Sequence, residues 1–256
     1  MGIVLQAKGV SKVYGTKKNP FTALKNLNLE VSRGDFVGIM GPSGSGKSTL
    51  LHLLSTIDTP ATGSIDIGGK SILTMKEEEL SDFRRNHLGF IFQDFNLLDT
   101  LNVKENILLP LALSNSDPSL MSAKALSMAK IFGIEEILEK YPYEISGGQA
   151  QRTAAARALI TSPEMIYADE PTGALDSKSA ATLLQTLAEL NEQAKATILM
   201  VTHDAYAASY CSRILFIKDG EIFTEIRKGE HTRKEIFQQI INILTTLGGG
   251  SQNDII

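Results

Sequence analysis

An apolar segment, Phe36–Met40, runs directly into the glycine-rich stretch Gly41-Pro42-Ser43-Gly44-Ser45-Gly46-Lys47-Ser48. This stretch fits the pattern G-x-x-x-x-G-K-[ST], which is typical of a loop between a buried strand and a helix. Its glycines allow consecutive backbone N–H groups to converge on phosphate oxygens at the N-terminus of that helix. The stretch therefore predicts a phosphate-binding loop for a nucleoside triphosphate.

The groups of this loop have separate expected tasks. Backbone N–H groups between Gly44 and Thr49 should hold the β-phosphate region. Lys47 would place a positive charge between the β- and γ-phosphates, and the Ser48 hydroxyl would coordinate Mg²⁺. A simple glycine turn would explain neither the lysine nor the serine. The predicted nucleotide-binding residues here are Gly41, Ser43, Gly44, Ser45, Gly46, Lys47, Ser48 and Thr49.

A second apolar segment, Met165–Ala168, ends in two acids, Asp169 and Glu170. Open α/β sheets bind ligands at the carboxyl ends of their strands, so both acids are expected at a ligand edge. Asp169 would act on Mg²⁺ through a water ligand, and Glu170 would orient and deprotonate the water that attacks the γ-phosphate. The alternative is an acidic helix N-terminus, which the helix dipole favours by only about 0.3–1 kcal/mol.

The alternation of strand and helix signals predicts an α/β fold with a mixed, mainly parallel core sheet. Buried strands are expected at Phe36–Met40, Met165–Ala168 and Thr197–Thr202, and helices at Lys47–Ser55, Gln149–Thr161 and Ser177–Glu192. Short β-rich pieces within Val4–Val31 and Ser64–Ile67 predict an antiparallel β subdomain. Asp219-Gly220 predicts a hairpin turn.

Helix signals replace strand signals in the middle of the chain, which indicates an inserted helical subdomain at about residues 95–148. Asp117 is a candidate cap, Pro118 suits a first helical turn, and Gly133 is a candidate stop. The surrounding nucleotide-binding domain is expected to span residues 1–230.

The C-terminal part carries a capping-box pattern, Thr232-x-x-Glu235, ahead of an apolar stripe. It predicts an amphipathic helix at 231–247 and a flexible tail at 248–256. The stripe is expected to pack on its own domain, and a contact with a partner is the alternative.

Composition narrows the classes of partner. Lys plus Arg total 25 against 29 Asp plus Glu, a slightly acidic balance that disfavours binding to nucleic acid. The one cysteine, Cys211, excludes an intrachain disulfide and is expected to be a buried apolar residue in a reducing compartment. No run approaches the roughly 20 apolar residues that span a bilayer, and we expect a chain that is soluble by itself.

A third motif, Ser146-Gly147-Gly148-Gln149, is another turn rich in N–H groups at the start of a helix. With this motif, the loop and the acid pair, the chain resembles the ATP-binding cassette of ABC transporters, a P-loop NTPase type, over nearly its full length. The resemblance implies ATP with Mg²⁺ and a head-to-tail, ATP-dependent dimer. Ser146, Gly147, Gly148 and Gln149 would then bind the γ-phosphate held by the other subunit. Ile145 stands where the family usually has leucine, a nearly volume-conserving difference.

The same resemblance assigns four further residues, each of which also has an ordinary structural explanation. Tyr14 would stack on adenine, or it is a sheet residue. Gln93 would sense Mg²⁺ and the attacking water, or it is a loop residue. His203 would contact the γ-phosphate and that water, or it is a structural strand-end histidine. Asp176 would lie at the dimer interface, or cap a helix; both roles are compatible.

Three segments, Gly89–Asp99, Val103–Leu111 and Ala168–Asp176, resemble the ATP-binding subunits of bacterial peptide-antibiotic export and resistance systems. This implies an integral membrane permease as partner, a peripheral location on the cytoplasmic face of the bacterial membrane, and a two-component sensor as an optional partner through the permease. A lipoprotein-release or cell-division ATPase is the alternative. A soluble ABC ATPase acting on ribosomes or DNA is disfavoured by the single cassette and the acidic balance.

Overall fold

A computed structural model describes residues 2–16, 18–114 and 117–248. The strands within these ranges are β1 (Ile3–Thr16), β2 (Asn19–Ser32), β3 (Phe36–Met40), β4 (Thr62–Ile67), β5 (Lys70–Ser71), β6 (Leu88–Ile91), β7 (Met165–Asp169), β8 (Ile198–Val201), β9 (Arg213–Lys218) and β10 (Glu221–Arg227). The α-helices are α1 (Lys47–Leu54), α2 (Glu77–His87), α3 (Val103–Leu113), α4 (Pro118–Phe132), α5 (Gly147–Leu159), α6 (Ser177–Ala194), α7 (Ala205–Ala208) and α8 (Arg233–Gly248). The chain divides into two compact units. The first consists of the described residues of Met1–Leu73 and Met200–Ile256, and the second of Thr74–Leu199.

The first unit contains the expected antiparallel sheet, with strand order β2-β1-β4-β5. Strand β1 pairs antiparallel with both β2 and β4. Alternate residues of β2, such as Leu27, Leu29 and Val31, are buried while their neighbours are exposed. This alternation is the pattern of a sheet with one face on the core.

The parallel strands of the first unit are buried on both faces. All five residues of β3 are buried, and β3 pairs in parallel with β9. Just beyond β8, the Thr202 N–H donates to the Ile39 carbonyl at 3.1 Å. Cys211 is fully buried, as expected, and burial raises the pKa of its thiol. Its Sγ lies 3.0 Å from the position that a Cβ on Gly38 would take, so this glycine makes room for the sulfur.

The second unit combines the parallel pair β6–β7 with most of the helices. The Ile166 N–H of β7 donates to the Thr197 carbonyl at 2.9 Å, just before β8. The predicted helix signals are confirmed at α4, since Asp117 accepts from the Ser119 N–H and Gly133 ends the helix in the left-handed region.

The structure departs from the sequence expectations at several elements. Helix α2 and strand β6 were not predicted, because α2 buries only Phe83 and β6 has four residues, too few for a clear periodic pattern. Helix α5 begins at Gly147 rather than near Gln149, because Ser146 is its N-cap. Helix α8 covers Arg233–Gly248, against the expected 231–247.

The capping box ahead of α8 is present. Thr232 N–H donates to Glu235 Oε2 at 2.7 Å, and Glu235 N–H donates back to Thr232 Oγ1 at 3.3 Å. Ile236, Ile240 and Leu247 are buried, whereas Phe237 and Ile241 are each 36% exposed, so only part of the apolar stripe packs on its own chain. Of the tail expected at 248–256, residues 249–256 lie outside the described residues. In the described ranges no helix has both the length and the apolar composition needed to cross a bilayer.

The hairpin between β9 and β10 supports the glycine-rich loop. Asp219 and Gly220 have φ angles of 50° and 81°, both in the left-handed region that a two-residue type I′ turn requires. Gly220 N–H donates to Ser45 O at 3.1 Å, and the Lys25 N–H donates to Gly220 O at 2.9 Å. This turn is therefore joined by backbone hydrogen bonds to two other parts of the unit.

We predict that Gly220→Ala lowers the free energy of unfolding by more than Gly69→Ala. Both glycines have similar φ angles, 81° and 76°, so both variants carry the strain of about 1–2 kcal/mol of a left-handed alanine. Only at Gly220 would the new Cβ also lie 2.8 Å from a backbone oxygen, that of Ala23. Urea unfolding of the two variants measures the difference, and equal losses would contradict the close backbone packing.

Candidate functional site

The glycine-rich loop of the first unit takes the backbone shape that its sequence predicts. Gly41, Gly44 and Gly46 have φ angles of 153°, 76° and 103°. A Cβ on Gly41 would collide with the Ile217 carbonyl, and one on Gly46 would lie 2.6 Å from the Ala23 carbonyl. Gly41 and Gly46 therefore need glycine for both conformation and space, and Gly44 for conformation alone.

The polar groups of the loop fit a phosphate ligand. Gly46 is the N-cap of α1 and offers no side chain to the first N–H groups of that helix. Lys47 Nζ donates to the carbonyls of Gly41 and Pro42 at 3.0 and 2.9 Å, which holds the ammonium within the curve of the loop. Ser45 is 3% exposed, and its Oγ has no hydrogen-bond partner among the described residues. Buried hydroxyls without a partner are rare in folded proteins, and this one has a proton to donate to an oxygen of a ligand.

The other two predicted residues of the first unit are exposed. Tyr14 lies near the end of β1 and is 39% exposed. His203 lies between β8 and α7, in a segment fixed on its C-terminal side because Asp204 accepts from the Tyr206 N–H at 2.8 Å and caps α7.

Helix α7 is in turn held by α8. The guanidinium carbon of Arg233 lies 4.4 Å from the Tyr210 ring centre and 5.3 Å from that of Tyr206. The two tyrosine hydroxyls are 3.0 Å apart. Burial and the hydrogen bond with Tyr206 raise the pKa of Tyr210 to about 12. The start of the C-terminal helix is thus attached to the segment that follows His203.

In the second unit, the acid pair lies at the end of β7, where it was predicted. Asp169 is the last residue of the strand, and Glu170 follows with a φ of 46°, a conformation that residues other than glycine adopt rarely. The Glu170 carbonyl accepts from the Gly173 N–H at 2.9 Å, which closes a turn. A Cβ on Gly173 would lie 3.2 Å from Gln93 Cδ. The Gln93 amide therefore packs over the turn that carries Glu170.

One buried side chain that sequence reasoning missed joins the ends of β6 and β7. Gln151 is fully buried on α5, and its Nε2 donates to the carbonyls of Phe92 and Pro171 at 3.0 and 2.7 Å. The available signal was a glutamine on a helix face otherwise rich in alanine. By bridging these two carbonyls, Gln151 fixes the segments that carry Gln93 and Glu170.

The Ser146 motif forms the start of α5. Ser146 Oγ accepts from the Gln149 N–H at 3.3 Å, and Gln149 Oε1 accepts from the Ser146 N–H at 2.9 Å. Ser146 and Gly147 are exposed, whereas Gly148 is buried. The motif is therefore a capping box whose first residues are open to a ligand.

The buried glycine of this motif packs against the start of α6. A Cβ on Gly148 would collide with Ser179 Oγ and lie 2.8 Å from Ser179 Cβ. Ser179 Oγ donates to Asp176 Oδ2 at 2.6 Å, and Asp176 also accepts from the N–H groups of Lys178 and Ser179. The hydrogen bonds from Ser179 lower the pKa of the Asp176 carboxyl. Asp176 is thus a helix N-cap, and the side chain of Ser179 lies between it and the Ser146 motif.

Arg157, also missed from the sequence, anchors the loop after Gln93 to α5. Its guanidinium donates to the carbonyls of Phe95 and Asn96 at 2.8 and 2.6 Å. Both loop residues have positive φ angles, 61° and 50°. Burial lowers the pKa of Arg157. The second unit therefore brings together Gln93, the Glu170 turn, the Ser146 motif and Asp176, while the first holds the loop, Tyr14 and His203.

Comparison with known proteins identifies the family to which these motifs belong. A profile of the ABC transporter family matches residues 24–173. This chain belongs to the ABC transporter family. The bacitracin export ATP-binding protein BceA of Halalkalibacterium halodurans is 55% identical over 98% of this chain and 99% of its own length. The ABC transporter ATP-binding protein YxdL of Bacillus subtilis is 49% identical over 100% of this chain and 98% of its own.

A solved ABC structure resembles the fold closely. It is the ATP-binding cassette MJ0796 of Methanocaldococcus jannaschii in a dimeric post-hydrolysis state bound to ADP and Pi. The TM-score is 0.80 and the identity 40%, over 87% of this chain and 98% of the other. The ABC-type α/β fold expected from the sequence is confirmed. The chain is an ABC-type ATP hydrolase with ATP and Mg²⁺ as its cofactors.

We predict that Gly148→Ala lowers the free energy of unfolding while the neighbouring Gly147→Ala does not. A Cβ on Gly147 would meet nothing nearer than 3.6 Å, whereas one on Gly148 would collide with Ser179. Alanine is otherwise the better helix former by about 1 kcal/mol, so a loss at Gly148 must come from packing. Urea unfolding measures both variants. Adding Ser179→Gly should recover part of the loss, and equal effects at the two glycines would contradict the contact.

Proposed function

We propose that this chain is the ATP-hydrolysing subunit of a bacterial ABC transporter, bound at the cytoplasmic face of the membrane to an integral membrane permease. The observation that carries the proposal is the combination, within one ABC family member, of three motifs. These are the glycine-rich loop with its buried Ser45 hydroxyl, the acids at the end of β7, and the exposed start of the Ser146 motif.

The site residues have the following proposed roles in hydrolysis. The loop residues Gly41 and Ser43 to Thr49 bind the triphosphate, and Tyr14 stacks on the adenine. Ser48, Asp169 and Gln93 hold Mg²⁺, which supplies positive charge to the phosphate oxygens. Glu170 accepts a proton from the attacking water, and Gln93 and His203 orient that water. The rigid turn after Glu170 and its cover by Gln93 support these assignments.

Dimerisation is the second part of the proposal. We infer a head-to-tail dimer in which Ser146, Gly147, Gly148, Gln149 and Asp176 act on the nucleotide of the other subunit. Exposure of Ser146, Gly147 and Asp176 supports this, because these groups are open to a partner. The dimeric, ADP- and Pi-bound state of the relative MJ0796 supports it as well.

The proposed cargo class is an antimicrobial peptide, exported or sensed. The 55% identity to a bacitracin export ATP-binding protein over nearly the whole chain supports this choice. Macrolide export proteins of the MacB type are 41–43% identical over 88% of this chain, so a related export or lipoprotein-release system is the second candidate.

The proposed domain division assigns residues 1–230 to the ATPase domain, with an inserted helical subdomain at about residues 95–148.

Co-purification from membranes tests the assembly. The tagged chain should carry one permease with it from detergent-solubilised membranes, and genes next to its own should encode that permease. An adjacent two-component sensor would favour the peptide-antibiotic system. A chain that stays free of any membrane protein would overturn the proposal of a permease partner.

We predict that Glu170→Gln lowers steady-state ATP hydrolysis by about 10²–10⁴-fold and leaves ATP binding intact. The amide keeps the shape of the side chain but cannot accept a proton from water. Phosphate release and nucleotide binding measure the two effects, and size-exclusion chromatography should show an ATP-bound dimer. Glu192→Gln, on the exposed face of α6, is the control and should keep wild-type turnover. Wild-type hydrolysis by Glu170→Gln would exclude it as the base.

We predict that mixing two inactive variants, Lys47→Ala and Ser146→Arg, restores part of the hydrolysis. A mixed dimer contains one unmutated loop facing one unmutated Ser146 motif, so it rebuilds one complete site. ATPase rates of the mixture and of each variant alone measure the recovery. A mixture that forms dimers without recovery would argue against one sufficient shared site.

A crosslink distinguishes a failed shared site from obligate coupling of two sites. Cysteines at Ser43 and Gly147 should crosslink between subunits only when ATP is bound, in the Glu170→Gln background. Gly147 is the suitable position because a side chain at Gly148 would collide with Ser179. Cys211 is fully buried and does not compete. An ATP-bound Glu170→Gln dimer that does not form this crosslink would contradict the head-to-tail arrangement.

A further inference from the structure

Three side chains of the first unit, Lys12, Tyr14 and Asp58, form a closed cluster. Lys12 Nζ lies 2.6 Å from Asp58 Oδ1, and the Tyr14 hydroxyl donates to Asp58 Oδ2 at 2.9 Å. Lys12 Nζ also lies 5.0 Å from the centre of the Tyr14 ring. Each oxygen of the carboxylate therefore has its own partner, and the tyrosine is held by its hydroxyl and by a cation over its ring.

The cluster is attached to the C-terminal end of α1. The N–H groups of Ile57 and Asp58 both donate to the His52 carbonyl, at 2.9 and 3.1 Å. Lys12 Nζ donates to the Thr59 carbonyl at 2.7 Å. Burial opposes ionisation of Asp58, but hydrogen bonds from Lys12, from the Thr59 N–H and from Tyr14 lower its pKa overall. The group that holds the Tyr14 hydroxyl, here called the tether, is thus the Asp58 carboxylate, which is fixed to the helix that begins at the phosphate-binding loop.

The Tyr14 ring is only partly covered by neighbouring side chains. The paired ends of β1 and β2 are exposed there, with Val13 at 44%, Tyr14 at 39% and Phe21 at 60%. A partly exposed side chain on a strand end has more than one staggered rotamer open to it, and polar partners select among these rotamers. The contacts with Asp58 and Lys12 are the restraints that the structure provides.

We propose that Asp58 and Lys12 are positioning residues that hold the Tyr14 ring at a fixed spacing from the phosphate-binding loop, so that it receives the adenine of a loop-bound ATP. Helix α1, of eight residues and about 12 Å, sets this spacing, because it carries the loop at one end and Asp58 at the other. The inference rests on the proposed roles of the loop in binding ATP and of Tyr14 in stacking on the adenine. It predicts that Asp58 affects binding of the base and not binding of the phosphates.

Calorimetric titration of the full chain with ATP and with inorganic triphosphate separates these two contributions. Asp58→Ala should weaken ATP binding about three- to tenfold, the size expected for one hydrogen bond, and leave triphosphate binding unchanged. Tyr14→Phe, which keeps the ring and removes the tether, should weaken ATP binding similarly. The double variant Asp58→Ala/Tyr14→Phe should bind ATP no more weakly than the weaker-binding of the two single variants, because both substitutions break the same hydrogen bond. Unchanged triphosphate affinity also reports an intact fold of the loop.

The matched control is Glu225→Ala. The Glu225 carboxylate also has two partners, Arg213 and Arg227, and its side chain is 30% exposed against 29% for Asp58. Loss of a surface ion pair alone has little effect on the fold, so this variant should bind both ligands as wild type does. Wild-type ATP affinity in Asp58→Ala, equal losses for ATP and triphosphate, or additive effects in the double variant would each overturn the inference. A wild-type chain that binds neither ligand would instead overturn the proposed function.

Discussion

The nucleotide site depends on one demand on the backbone: a short loop must turn its N–H groups towards a single point while it packs against other backbone. Gly41 does so against the carbonyl of Ile217, and Gly46 against that of Ala23. The β9–β10 turn adds a hydrogen bond from Gly220 to Ser45. No side chain fits between these backbones. The loop therefore packs against a nearby strand at Ala23 and against the β9–β10 hairpin, which is more than a hundred residues away in sequence and supports the loop.

Helix α5 has a comparable function in the second unit. Its first turn presents the Ser146 motif, Gln151 bridges the ends of the strands β6 and β7, and Arg157 holds the loop after Gln93. A single helix thus fixes three segments that carry candidate site residues, those of Ser146, Gln93 and Glu170, together with the loop after Gln93. A small rotation of this helix would change all of them together, because buried polar bridges do not stretch far before they break.

Elements with a strong local signal could be predicted from the sequence. The strand β3 with its loop, the cap Asp117, the stop Gly133 and the Asp219-Gly220 turn all follow from short patterns of residues. The supports of the site could not be predicted in this way. Gln151 reaches a carbonyl 59 residues away, Arg157 one 62 residues away, and Tyr14 a carboxylate 44 residues away. Such pairs come together only in the folded chain, and no local pattern in a single sequence predicts them.

The cap of α5 also explains why a serine stands at its start. As caps, asparagine, aspartate and serine are nearly equivalent. They differ in what remains after capping. Ser146 Oγ accepts from the Gln149 N–H, and a hydroxyl that accepts keeps its own proton to give. Aspartate in the same place would have no proton and would repel an anion. The local bond that starts the helix therefore also gives the exposed end of this motif its polarity: it offers donors and no negative charge, and it suits only a ligand rich in acceptors.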